Sequence, residues 1–166
     1  DAVWLTHTHA DHLHGLDDLR IFSLRSGQPL PVHVSQRHHD EVIERFNYVF
    51  DARVQPPRGT SKPRLVLEPF DSSPPPAQGT SLPAVSVLGA TLHPLELPHG
   101  PATVYGFRVG PLGYVTDAKT IPPAALAALE GVDTLVLNAL WYGDPHPTHF
   151  NIEEAIDMAQ RIGARQ

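Results

Sequence analysis

The sequence predicts an α/β layered fold. Short apolar runs of strand length alternate with stretches whose apolar residues recur at helical spacing. Proline and glycine, 18 and 12 of the 166 residues, punctuate these runs at their ends. The 41% hydrophobic content suits a single domain over residues 1–166 with a sizeable core, and no apolar run approaches a membrane span.

The first element is the run Ala2-Val3-Trp4-Leu5, a short buried strand. Thr6-His7-Thr8-His9-Ala10-Asp11-His12 follows it. Leu13, Leu16 and Leu19 with Ile21 and Phe22 then suggest a helix that has Gly15 in its first turn. The histidines and the aspartate therefore lie in a loop gripped by a strand and a helix, a rigid setting for a reacting site. Neutral imidazole is the commonest side-chain metal ligand near neutral pH, and carboxylate suits the same borderline ions. In an extended or tightly looped segment His7 and His9 project to one side and can grip one ion. Asp11 and His12 come after the turn and can reach a second. Two ions roughly 3.5–4 Å apart clamp an in-line displacement through a bridging hydroxide. A solvated histidine-rich turn is the plainer explanation, and it fits one histidine better than four potential ligands behind an apolar strand.

His7-x-His9-x-Asp11-His12 resembles the signature of the metallo-β-lactamase fold superfamily of hydrolases. The continuation Leu13-His14-Gly15-Leu16-Asp17-Asp18-Leu19-Arg20 is similar to that of the phosphodiesterase branch, which includes the phosphoribosyl 1,2-cyclic phosphodiesterase and, more distantly, the tRNA 3′-processing nucleases. The glyoxalase II branch has a Gly-Gly pair soon after the motif, where this chain has Gly15-Leu16. The resemblance implies an αββα sandwich and two divalent ions, zinc or manganese. It also implies a sheet ahead of the motif and a strand with a last histidine ligand beyond Gln166. Since Asp1 opens in mid-strand, the sequence is expected to be incomplete at both ends.

Further along, Pro31 to Ser35 alternates as a strand, with His33 on a strand face. Residues 36–46 read as a helix carrying His38 and His39, solvated or locally hydrogen-bonded, in its first turn. Arg64 to Glu68 is another strand. The Pro/Ser/Gly tract at 71–83 reads as a surface loop, either a lid or a tolerated insertion. Ala84 to Leu97 gives two strands broken at Gly89, leading to Pro98-His99-Gly100, with His93 structural. Thr103 to Val109 and Leu112 to Thr116 form a hairpin. Asp117 follows its second strand, where an aspartate ordinarily caps a turn or helix. The resemblance implies other roles here: His99 as the third histidine of the first ion, and Asp117 as a carboxylate bridging both. Lys119 either pairs with a phosphate or faces solvent.

Pro122-Pro123 opens a helix that closes at Gly131, and Thr134 to Asn138 is a buried strand. The last helix, Ile152 to Ile162, has Asn151 and Glu154 as a cap pair and Ile152, Ala155, Ile156, Ala159 and Ile162 as its apolar stripe. His149 stands just ahead of that helix, whose N-terminus favours an anion. The resemblance implies a leaving-group or substrate role for His149, and leaves His146 between such a role and a structural one.

The reaction expected from these residues is hydrolysis of a small cyclic or nucleotide-like phosphodiester. His7, His9 and His99 hold one ion, Asp11, His12 and the downstream histidine hold the other, Asp117 bridges, and His149 donates a proton to the leaving oxygen. A thioester or lactone hydrolase of the same fold is the alternative, with Arg20 and the segment around His149 favouring phosphate. A metal-holding scaffold without turnover is a third. With 12 basic and 18 acidic residues and a net charge of −6, the chain lacks the broad basic face that coats nucleic acid. RNA is therefore a disfavoured partner beside a small phosphorylated substrate. A homodimer, no membrane partner and a cytoplasmic location complete the expectations. The absence of cysteine excludes disulfides and thiolate ligands.

Overall fold

Apolar runs alternate with helices in the computed structural model, which describes residues 1–71 and 83–166. The chain divides into two units, Asp1–Asp71 and Ser72–Gln166.

In the first unit β1 (Val3–Trp4), β2 (Leu30–Ser35) and β3 (Leu65–Phe70) make a parallel sheet in the order β1-β2-β3. The central strand is covered on both faces, so nearly every position of Leu30-Pro31-Val32-His33-Val34-Ser35 is buried. His33 belongs to that packing: its ring stacks on Trp4, and Nδ1 lies 3.5 Å from a Glu68 carboxylate oxygen. Trp4 in turn stacks on Phe70.

The helix expected after the motif forms in three pieces: α1 (Ala10–Leu13), a 3₁₀ segment (His14–Leu19) and α2 (Arg20–Ser26). The tighter 3₁₀ winding, three residues per turn, shifts the helical phase. Leu13 and Leu16, three apart, share one buried side, while Ile21 and Phe22 emerge at 53% and 47% exposure. Gly15 sits within the 3₁₀ segment. Next come α3 (Gln36–Arg45) and α4 (Asn47–Phe50). Val42, Phe46 and Val49 join Leu5, Leu13, Leu16, Val32 and Val34 in the unit's core. His38 is buried and shares a 3.0 Å hydrogen bond with Ser35 Oγ; burial holds its pKa below the ordinary imidazole value against the opposing pull of Glu41. His39 pairs with Asp40 at the surface.

The second unit is built on a five-stranded sheet, β4 (Val85–Val87), β5 (Ala90–His99), β6 (Ala102–Val109), β7 (Leu112–Val115) and β8 (Thr134–Leu137), in that order. The first four pair antiparallel, and β8 adds parallel to β7. The parallel pairing follows from the crossover through α5 (Pro123–Leu129), which buries Ala125, Ala128 and Leu129. The sequence reads Thr134 to Asn138 as buried, but β8 is covered on one face only. Leu135 and Leu137 pack on the core, while Val136 points the other way at 45% exposure. His93 has the structural role read from sequence, its Nδ1 meeting the Pro83 carbonyl.

The last helix, α6 (Ile152–Ile162), starts at the expected capping box. Asn151 Oδ1 accepts from the Glu154 backbone N–H at 2.8 Å, and Glu154 Oε2 accepts from Asn151 N–H at 3.0 Å. Its stripe is narrower than expected: Ala155 and Ile162 are buried, but Ile156 is 49% exposed because it falls one step round the helix from Ala155. Lys119 neither faces solvent nor waits for a phosphate, since its Nζ bonds both Glu154 carboxylate oxygens at 2.6 and 2.5 Å. That bond, and then the Asn151 N–H, hold the Glu154 carboxyl below its usual pKa. A depressed carboxyl stabilises the fold above its unfolded pKa, and the stabilisation is lost as pH falls through the folded value. Glu154→Gln should therefore be less stable than wild type at pH 7, with the gap narrowing below about pH 4. Urea unfolding at several pH values tests this, and a gap constant with pH contradicts it.

The expected Pro/Ser/Gly loop at 71–83 falls almost wholly outside the described residues. Among those described, no helix is long and apolar enough to cross a membrane.

Candidate metal centre

The first unit gathers imidazoles at the C-terminal end of β1. Leu5 N–H bonds the His33 carbonyl, extending the strand pairing by one residue, and the chain then turns through His7 to His12. His9 has extended backbone and caps α1, with His12 N–H returning to its carbonyl at 3.1 Å. This turn brings the His9 and His12 rings against that of His7. His7 lies 4.6 Å from His9, edge on, and 4.3 Å from His12 between centroids. His7 is 1% exposed and its Nδ1 meets Thr6 Oγ1 at 3.1 Å, whereas His9 stands at the surface. Asp11 reaches outward, 79% of its side chain exposed, with Oδ2 3.5 Å from His12 Nε2.

The loop is held from α3. Thr8 Oγ1 donates to Glu41 Oε2 at 2.6 Å, Arg45 donates to the Thr8 carbonyl at 2.7 Å, and Arg45 and Glu41 pair with each other. The residue between His7 and His9 is thus clamped at both side chain and backbone.

The second unit brings together His99, Asp117 and His149. His99 ends β5 and is 6% exposed. Its Nδ1 lies 3.2 Å from the Thr148 carbonyl. A carbonyl only accepts, so Nδ1 carries a proton, and in the neutral ring Nε2 then keeps the lone pair. That nitrogen is 3.9 Å from Asp117 Oδ2. A hydrogen bond would be shorter, whereas two ligand atoms each about 2.0–2.2 Å from one zinc ion can be this far apart.

Asp117 has φ of +50°, left-handed and uncommon outside glycine. Asn138, at the end of the neighbouring β8, fixes this turn by accepting from Ala118 N–H at 2.9 Å, and its own N–H bonds the Val115 carbonyl. Thr116 Oγ1 donates to Asp117 Oδ1. The Phe150 N–H bonds the Ala118 carbonyl, tying the segment of His149 to the turn of Asp117. The His149 ring is then 4.8 Å from that of His99 and 5.0 Å from that of His146.

The donors fit divalent cations. Imidazoles and carboxylates are borderline and hard ligands, and the carbonyl behind His99 is the outer-shell partner that orients a metal-binding histidine. Two sequence expectations change. The start of α6 is poorly placed to hold an anion: Ile152 N–H bonds the Trp141 carbonyl, Glu154 N–H is taken by Asn151, and Glu153 and Glu154 already bring negative charge to that turn. Arg20, read as favouring phosphate, is bonded to Asp17 at 2.6 Å. Glu41, Arg45, Thr148 and Asn138 escape sequence reading. The first three act on residues 33, 37 and 49 positions away, and no local spacing reports such bonds. Asn138 leaves a faint trace, since it ends an apolar strand as Asp117 does.

All 166 residues match the family model described as a beta-lactamase superfamily domain. The octanoyltransferase of Porphyromonas gingivalis is 36% identical over 163 residues, which cover 98% of this chain and 30% of that protein. A diphosphatase from the PhnP family superposes with a TM-score of 0.77 at 29% identity, over 99% of this chain and 56% of its own. The metallo-β-lactamase fold protein YhfI from Bacillus subtilis gives 0.71 at 22% identity, with 99% and 61% covered. Human tRNase Z, short form, gives 0.70 at 18%, with 99% and 69% covered. The last two matches show the fold alone. The chain spans less than a third of the curated relative and little over half of the diphosphatase. The match along its full length establishes that the chain belongs to the beta-lactamase superfamily, with the metallo-β-lactamase fold.

Proposed function

We propose that residues 1–166 act as one domain carrying a dinuclear phosphodiesterase centre for a small phosphorylated substrate. The motif resemblance assigns His7, His9, His99 and Asp117 to one divalent ion, and Asp11, His12 and the same Asp117 to the second. The observation that carries this is the pairing of His99 Nε2 with Asp117 Oδ2 at 3.9 Å, with the His99 proton committed to Thr148. Zinc or manganese suits the donor set.

Divalent cations held there would supply Lewis acidity and a water of lowered pKa. The protein's part is to fix the ligands and handle protons. Thr148 sets the His99 tautomer. Asn138 and Thr116 aim the Asp117 carboxylate, which would help hold both cations. His149, half-buried beside His99, carries a proton to the leaving oxygen. The likeness to a diphosphatase favours attack at phosphorus.

A second reading keeps the centre and moves attack to an acyl carbonyl, a thioester or a lactone. The 36% identity to a protein named octanoyltransferase favours it. The full-length protein should be assayed on phosphodiester, thioester and lactone substrates side by side. The highest kcat/KM is expected on the phosphodiester. A thioester or lactone preference overturns the choice of substrate, and metal binding without turnover of any of them favours a scaffold.

A further inference from the structure

Leu140, Trp141 and Tyr142 are consecutive and exposed by 43%, 47% and 72%. Scattered apolar surface residues need no explanation, but three together on one loop do. The loop is also fixed. Leu140 N–H bonds the Phe150 carbonyl, and the Trp141 carbonyl accepts from Ile152 N–H at 2.9 Å. The indole Nε1–H donates to the Asp144 carbonyl at 2.8 Å. The ring of His146 meets the indole at 84° and 5.5 Å. So the indole is exposed yet held, its rotamer entropy already spent before anything binds.

From Trp141 the rings run inward without a break: His146 at 5.5 Å, His149 a further 5.0 Å on, then His99 at 4.8 Å. One end of this row is an assigned metal ligand, and the other is a half-exposed indole. A ligand whose phosphate lies at His99 and His149 would lay its distal part along the row toward Trp141. Flat aromatic groups gain most from such a platform, because stacking tolerates any ring and needs no matched hydrogen bond.

We infer that Trp141 forms a stacking subsite for a planar ring of the substrate, so that the preferred phosphodiester carries a nucleobase. This rests on the phosphodiesterase reading of the same site, and the test separates the two. The first arm reads binding alone. Adenosine monophosphate should quench the tryptophan emission of the full-length protein, ribose 5-phosphate should not, and Trp141→Phe should remove the quenching while Trp4, the other tryptophan of this chain, still emits. The second arm compares adenosine 2′,3′-cyclic phosphate with a ribose cyclic phosphate lacking the base. Trp141→Ala should raise KM for the first about tenfold, the scale of one stacked base, with kcat unchanged and the second substrate unaffected. Trp141→Phe should restore most of the loss. No quenching, or equal effects on both substrates, overturns the inference. Quenching without hydrolysis of either diester supports the subsite and sinks the phosphodiesterase reading instead.

Discussion

Asp117→Asn should strip the protein of metal and lower phosphodiester hydrolysis by at least about 10²-fold, the scale of losing one electrostatic stabiliser. The substitution is chosen to isolate charge. Asparagine tolerates the left-handed backbone that Asp117 adopts at φ +50° and can still accept from Thr116 Oγ1. The Asn138 bond to Ala118 involves backbone on one side and should survive. What disappears is the negative charge offset against the cations, and one of two equivalent carboxylate oxygens. Metal content and kcat/KM of the full-length variant, with its thermal midpoint as a control, decide the matter. If the variant keeps two ions and full activity, Asp117 does not bridge. A lowered midpoint in the absence of metal would instead assign Asp117 a structural role.

The second large effect concerns the sheet that delivers Asp117. At Gly106 in β6 a Cβ would stand 2.4 Å from the Tyr114 carbonyl oxygen in β7 and 3.4 Å from Leu97 Cδ1. The first contact is with backbone, so it cannot be relieved by turning a side chain. β6 and β7 must separate, loosening the ladder that pairs Phe107 with Tyr114 and ends just before Asp117. Overpacking of this kind costs about 1–3 kcal/mol. Gly106→Ala should therefore unfold at clearly lower urea. Gly15→Ala, where nothing lies within 4 Å of the added carbon, should stay within about 0.5 kcal/mol of wild type. Equal midpoints for the two variants would show that the sheet absorbs the methyl.

Much of this architecture is legible from local pattern. The β6–β7 hairpin, the break at Gly89, the capping box of α6 and the end of β5 at His99 are written in residues at most a few positions apart. Helix phase is less legible. A 3₁₀ segment after the motif exposes Ile21 and Phe22, because local winding depends on packing that no periodicity reveals. The burial of Val136 is misread for a related reason: a four-residue apolar strand looks the same with one face covered as with two. At the site the ligands are visible as residue types, but their supports are not. Glu41 and Arg45 on Thr8, and the Thr148 carbonyl on His99, are bonds between distant segments. The anion site expected at α6 fails because the Trp141 carbonyl and the Asn151 side chain take two of the helix's first donors.

Metal stoichiometry measured together with turnover bears most directly on all of this. The full-length protein, stripped with a chelator and titrated with zinc or manganese, should bind two ions per chain and regain phosphodiester hydrolysis as they bind. Hydrolysis that persists in the fully stripped protein would contradict the account.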